Sequence, residues 1–155
     1  MESLSFRISA APQATAQQST PELPLLVIDD NPQNLRLASF LLLFDGLQVR
    51  TAASAEEALQ LLADQQFSMV VVDLHLPGMN GLELTRRIRN TPAWHDLPVV
   101  VVSGYAMRRD DERLVSAGCD GYIGKPFDSK TFPNRVRECL KLRGAGSGAG
   151  AIPDH

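Results

Sequence analysis

Asp29, Asp30, Asp73, Ser103 and Lys125 are the residues whose types could do chemistry together in this chain of 155 residues. Four of them close short apolar runs. Leu25-Leu26-Val27-Ile28 runs into Asp29-Asp30, Met69-Val70-Val71-Val72 into Asp73, and Val99-Val100-Val101-Val102 into Ser103-Gly104, while Tyr122-Ile123 leads to Lys125-Pro126-Phe127. Such runs, rich in β-branched residues and too short for helices, predict strands buried on both faces, as in a parallel sheet covered by helices. Parallel strands deliver their last residues to one edge, and in an open α/β sheet the crevice beyond the strand ends is where ligands bind. Three carboxylates gathered there repel one another and leave buried charge uncompensated, which calls for a cation. Mg²⁺ fits, because it takes one or two carboxylates, keeps several waters and leaves room for phosphate oxygens. Lys125 adds a mobile positive charge and Ser103 a hydroxyl donor. The set reads as a receptacle for a phosphoryl group on Asp73, since a carboxylate is a competent nucleophile once the charge on the transferred oxygens is neutralised.

The elements that must hold these residues alternate along the chain. Residues 1–23, rich in Ser, Ala, Gln, Thr and Pro, have the composition of a disordered arm, and the glycine-rich stretch 144–155 that of a flexible tail, leaving one domain over 24–143. Asn31 and Pro32 supply an N-cap and an N1 proline for a helix to about Phe44, whose Leu35, Leu37, Phe40, Leu41, Leu42 and Leu43 predict a well-buried face. Leu47 to Ala52 alternates apolar and polar, as an edge strand does. Ser54 and Glu57 have capping-box spacing before a second helix, and Asn80 and Glu83 repeat it before a third, which ends ahead of Thr91-Pro92. Pro77, Gly78, Asn80 and Gly81 are turn formers that stop the central strand after Asp73. A fourth helix is predicted from about Met107 to Ala117, stopped by Gly118, and a fifth from near Thr131 with Pro133 inside its first turn. Five strands alternating with five helices make an α/β fold, a doubly wound parallel sheet with helices on both faces and the flavodoxin-like order 2-1-3-4-5.

Composition excludes several classes. The hydrophobic share of 44% and charged share of 21% are those of an ordinary globular domain, and a net charge of -3 without any long basic run argues against nucleic acid as a partner. No stretch approaches a membrane span, and no apolar segment follows Arg7 as a secretory signal requires. Cys119 and Cys139 lack metal-ligand spacing and read as reduced thiols of a cytoplasmic protein.

These motifs, in this order, resemble the receiver domain of bacterial two-component response regulators. The resemblance rests on the acidic pair after the first strand, on Val-Val-Val-Asp-Leu-His-Leu-Pro-Gly-Met-Asn-Gly at 70–81, on Ser103-Gly104 and on Tyr122-Ile-Gly-Lys-Pro-Phe127, and it covers roughly residues 25–142. Ser103 lies 30 residues after Asp73 and Lys125 a further 22, which also fits. Asp30-Asn-Pro-Gln-Asn34, Tyr105-Ala-Met107 and Ala117-Gly-Cys-Asp-Gly-Tyr122 are similar to stand-alone receivers of the cell-cycle type. The resemblance implies that Asp73 accepts a phosphoryl group from a histidine kinase or histidine phosphotransferase. It implies that Asp30, Asp73 and the backbone carbonyl of His75 ligate Mg²⁺ while Asp29 acts mostly through water. It further implies that Lys125 pairs with the phosphoryl oxygens, that Lys125-Pro126 is a cis peptide, and that Ser103 and Tyr122 form a switch pair in which the tyrosine ring turns inward from an exposed position. Such a chain is a phosphoacceptor, not an enzyme with turnover. With the sequence ending soon after the fifth helix, output is expected through a downstream signalling protein, and a homodimer stays open.

Several residues have plainer readings. The His75 side chain, with no second His or Cys nearby, reads as an exposed loop residue, and Trp94 and Tyr105 as partly buried surface aromatics. Arg108-Arg-Asp-Asp-Glu-Arg113 reads as a solvated helix face. A phosphatase of the haloacid-dehalogenase type also uses an aspartate nucleophile after an apolar strand. It places a second Asp two residues on, where this chain has His75, and its acidic pair comes late rather than early. A receiver that only docks, without phosphate, would not need Asp30, Asp73, Ser103 and Lys125 together.

Overall fold

The computed structural model describes residues 23–104, 112–125 and 129–144. The expected arm and tail lie outside them except for Leu23 and Gly144, as do Tyr105, the stretch 107–111 and Pro126. The elements run β1 (Leu25–Ile28), α1 (Pro32–Phe44), β2 (Val49–Ala52), α2 (Ala55–Asp64), β3 (Met69–Asp73), α3 (Gly81–Arg89), β4 (Val99–Ser103), α4 (Glu112–Ala117), β5 (Gly121–Gly124) and α5 (Thr131–Gly144). All neighbouring strands pair in parallel and the order is 2-1-3-4-5, as expected.

Because successive strand residues point to opposite faces, each central strand feeds two cores. Leu26, Ile28, Val70, Val72, Val99 and Val101 pack with Ala58, Leu62, Leu84, Ile88 and Leu114 under α2, α3 and α4. Leu25, Val27, Met69, Val71, Val100 and Val102 pack with Ala38, Leu41, Leu42, Phe132 and Val136 under α1 and α5. This double burial is why β1, β3 and β4 read as continuous apolar runs and edge strand β2, half covered, does not.

The caps hold most helix starts. The Asn31 side chain accepts from the backbone N–H groups of Gln33 and Asn34, with Pro32 at N1. Asn80 and Glu83 form a complete box. At α2 only half of the expected box is made: Ser54 accepts from Glu57 N–H, but the Glu57 carboxylate reaches back to Ala53 N–H at 2.8 Å instead of the N-cap. Gly118, with φ of +90°, stops α4 in the left-handed conformation that favours glycine. Pro133 lies in the first turn of α5, where its missing N–H costs no helical bond.

The expected face of α1 is only partly buried. The predicted single buried face of α1 takes in only Ala38, Leu41 and Leu42 fully, with Leu35 partly covered. Leu37, Phe40 and Leu43, counted on that face from the sequence, are exposed, as is Phe44. A helix apolar on nearly all sides has no polar side to orient it, so the pattern could not tell which leucines the sheet would cover.

Candidate functional site

Asp73 is the last residue of β3, in the middle of the sheet, and the pairing of Leu74 N–H with Val102 O at 2.8 Å holds the chain straight just past it. Gly81 then brings the start of α3 back against this strand end. A Cβ at Gly81 would stand 2.7 Å from the Asp73 carbonyl oxygen and 3.0 Å from Leu74 Cα. Gly81 is thus the first residue of a helix rather than a turn former, and its missing side chain is what allows the approach. Gly81→Ala is expected to push the loop that carries Asp73, lowering stability by about 1–3 kcal/mol. Urea unfolding measures the effect.

Asp29 and Asp30 follow β1, the strand next to β3, so the sheet sets the two acidic clusters side by side. One carboxylate oxygen from each of Asp29, Asp30 and Asp73 lies within 4.8 Å of the others. Asp29 and Asp73 are buried and Asp30 is exposed. Lys125, just past β5, reaches across with Nζ 3.1 Å from Asp29 Oδ2 and 3.5 Å from Asp73 Oδ2. It therefore pairs more closely with Asp29 than with the predicted phosphoacceptor. Asn31 N–H donates to the other Asp29 oxygen at 2.9 Å, and His75 N–H donates to Asp73 Oδ1 at 3.3 Å.

The electrostatics follow from these contacts. Burial pushes the Asp73 carboxyl above its usual range, Lys125 draws it down, neighbouring Asp29 pushes it up, and the His75 N–H lowers it again. Among the described residues, three carboxylates stand against one ammonium, an excess of two negative charges at a partly desolvated sheet edge. The donor set is all oxygen and its charge deficit is that of one divalent ion, so a hard divalent cation fits. His75 is exposed, and its side chain is not part of the carboxylate group of Asp29, Asp30 and Asp73.

Ser103, fully buried, ends β4 one residue beyond Val102, the register partner of Asp73, which sets it at the same sheet edge. Its carbonyl accepts from Lys125 N–H at 2.9 Å, so the hydroxyl residue and the lysine share one backbone link. Tyr122 on β5, whose ring is expected to be exposed in the resting state, is instead half-buried against the core on the α2, α3 and α4 side. Of the residues singled out in the sequence, Arg7, the 105–111 stretch, Pro126 and Phe127 lie outside the described residues, and Asp29, Asp30, Asp73, Ser103 and Lys125 meet at one end of the sheet. Trp94 lies in the loop before β4, at the opposite end, packed partly against the core.

A second polar cluster at that opposite end escaped the sequence reading. Arg89, the last residue of α3, donates to Gly118 O at 3.0 Å, to Leu97 O at 2.7 Å and to the Asp120 carboxylate at 2.6 Å. Asp120 also accepts from Val99 N–H at 2.8 Å. The side chains come from positions 31 residues apart, so no local pattern announces the pair.

Comparison with known proteins places these features in context. A family model for the response regulator receiver domain matches residues 25–137. The polar-differentiation response regulator DivK of Brucella ovis is 29% identical over 116 residues, covering 75% of this chain and 94% of that protein. A putative response regulator from Chloroflexus aurantiacus superposes with a TM-score of 0.73 at 30% identity, over 78% of this chain and 99% of that one. The response regulator TrrA of Thermotoga maritima, solved in complex with Mg²⁺ and BeF, superposes with a TM-score of 0.67 at 28% identity, over 76% and 98%.

Proposed function

Since this chain belongs to the response regulator receiver domain family, we propose that Asp73 accepts a phosphoryl group from the phosphohistidine of a histidine kinase or histidine phosphotransferase, and that a downstream signalling protein reads the change. The observation that carries this reading is the buried Asp73 carboxylate at the end of the central strand, 3.5 Å from Lys125 and beside two further acids. An Asp73 oxygen attacks phosphorus as the phosphorus–nitrogen bond of the donor breaks, giving an acyl phosphate with no net gain or loss of electrons by the protein.

Asp29, Asp30 and Asp73, with the His75 carbonyl as a further oxygen, are the residues that would hold Mg²⁺. When bound, that ion supplies charge neutralisation on the transferred oxygens. The chain's own residues do the rest. Lys125 lies between Asp29 and Asp73, so its ammonium needs only to exchange one carboxylate for a phosphoryl oxygen. Ser103 donates its hydroxyl to another of those oxygens. Its shift leaves room beneath α4 for the Tyr122 ring, already half-buried, to move further in. The driving event is the addition of about -1.5 to -2 charge, and the switch can be no stronger than the difference in phosphoryl contacts between its two states.

On this reading the chain is a phosphoacceptor rather than an enzyme with turnover, and it acts through protein contacts. The net charge of -3 gives nucleic acid no electrostatic footing. Two buried free thiols, Cys119 and Cys139, fit a reducing, cytoplasmic compartment, and no helix among the described residues is long and apolar enough to cross a membrane.

Incubation with labelled acetyl phosphate and Mg²⁺ tests the reading. Label that reaches one phosphoryl per chain, stable in acid and labile in base, supports it. Continuous release of phosphate would make the chain a phosphatase, and no label would make it a docking module. Mg²⁺ alone is expected to raise the melting temperature, because only the folded chain gathers the three carboxylates, and at 100 times the dissociation constant the gain is about 2.7 kcal/mol. Asp30→Ala, an exposed position, is expected to keep the fold and lose most of that gain. A full gain in the variant would remove Asp30 from the ligand set.

A further inference from the structure

We propose that residues 4–8 of this chain, Leu-Ser-Phe-Arg-Ile, dock in a cavity at the end of the sheet opposite Asp73, between the α2–β3 connection and the loop before β4. The cavity holds about 660 Å³, within the usual range for ligand pockets, and is lined by Leu23, Leu62, Phe67, Trp94 and Leu97. Its walls are braced. Arg89 donates to His95 O at 3.3 Å and to Leu97 O at 2.7 Å, which fixes the loop that carries Trp94. Ser68 Oγ donates to Leu23 O at 3.1 Å, which fixes the point where the preceding chain leaves the domain. Trp94 and Leu97 are only half-buried and Leu23 is 44% exposed, so apolar surface stands open to an occupant.

The occupant follows from tether and charge. Leu23, on the cavity wall, is where residues 1–22 join the domain, and residues 9–22 span up to about 45 Å when fully extended, so residues 4–8 can turn back onto that wall. Such a tether holds its end at millimolar local concentration, which favours it over a second copy or another protein at micromolar concentration. Leu4, Phe6 and Ile8 alternate with Ser5 and Arg7, so an extended segment offers three apolar side chains on one side. Leu23 also flanks a second cavity, of about 390 Å³, whose lining includes Leu47, Leu140, Arg137 and Lys141. Charge separates the two. The first is lined by Asp64 and Asp96 and, among the described residues, by no lysine or arginine. Arg7 is the one basic side chain in residues 1–22, so beside Phe6 it meets carboxylates in the first cavity and like charges in the second.

Trp94 is the one tryptophan of the chain, so its fluorescence reports on the cavity in the full-length protein. Phe6→Ser is expected to lower the ratio of docked to undocked segment about tenfold or more, and acrylamide should then quench Trp94 more steeply than in the unaltered chain. Ala16→Ser, in the tether, should leave the quenching as it is. Phosphoryl uptake should be the same in both variants, so this proposal and the reading of Asp73 stand or fall separately. A cross-link locates the segment. Phe6→Cys with Ala93→Cys, on the first cavity, is expected to close a disulfide within the chain on mild oxidation about tenfold or more faster than Phe6→Cys with Lys141→Cys, on the second. Ala93 and Lys141 are both exposed, and buried Cys119 and Cys139 give little background. Equal rates, or Trp94 quenching that Phe6→Ser leaves unaltered, overturn the proposal. So does a disulfide between chains whose rate rises with protein concentration, which would give the cavity to the arm of a second copy.

Discussion

An Asp73→Asn chain is expected to take up no phosphoryl label from acetyl phosphate, where the unaltered chain is expected to approach one per molecule, and to melt at a higher temperature without Mg²⁺. The first effect is chemical, since the amide keeps the shape of the carboxylate and lacks a nucleophilic oxygen. The second is electrostatic. Burial is the largest influence on Asp73 and raises its carboxyl above the ordinary value of 3.8, with Asp29 adding to the rise. A raised folded-state value means that the folded chain holds the proton more tightly than the unfolded one. The stability this lends is present below about pH 3.8 and is lost as pH rises through the folded-state value. At pH 7 the ionised Asp73 therefore burdens the fold, and the amide removes the burden. The advantage of the variant should fade in acid, where both forms are neutral. Calorimetry in a chelating buffer at pH 7 and pH 4, with the label assay beside it, measures both effects. Label remaining at full stoichiometry would remove Asp73 from its role, and a lower melting temperature at pH 7 would show that the Lys125 attraction outweighs burial.

Asp120→Ala is expected to cost about 3–5 kcal/mol, the scale for removing one partner of a buried ion pair. The substitution takes the carboxylate from Arg89 and the side-chain acceptor from Val99 N–H, and both groups lie in surroundings where water replaces a lost partner poorly. Against a typical domain stability of about 5–15 kcal/mol this is a large share. Asp120→Asn, which keeps an acceptor for Val99, should cost less. Urea midpoints give the values, and the temperature gain from Mg²⁺ should persist in any variant that folds, because Asp120 and the acidic cluster lie at opposite ends of the sheet. A loss below about 1 kcal/mol would mean that the pair behaves as a surface ion pair.

What the chain determined by itself is what adjacent residues can encode. Runs such as Val99 to Val102 are strands because nothing polar interrupts them, and Asn31-Pro32 or Asn80 with Glu83 start helices because the capping atoms lie within a few residues of the N–H groups they satisfy. Strand ends and parallel order then carry Asp29, Asp30, Asp73, Ser103 and Lys125 to one edge, so the site was legible as soon as the alternation was. Tertiary structure alone decided the matters that depend on residues far apart in the chain. It chose Asp29 as the nearer partner of Lys125, and it paired Arg89 with Asp120 across 31 positions. It pressed Gly81 against the backbone of Asp73, a distance no composition rule contains. It also left Leu37, Phe40, Leu43 and Phe44 of α1 outside, because the sheet can cover only one side of a helix and α1, apolar nearly all round, offered no polar side to be turned to the water.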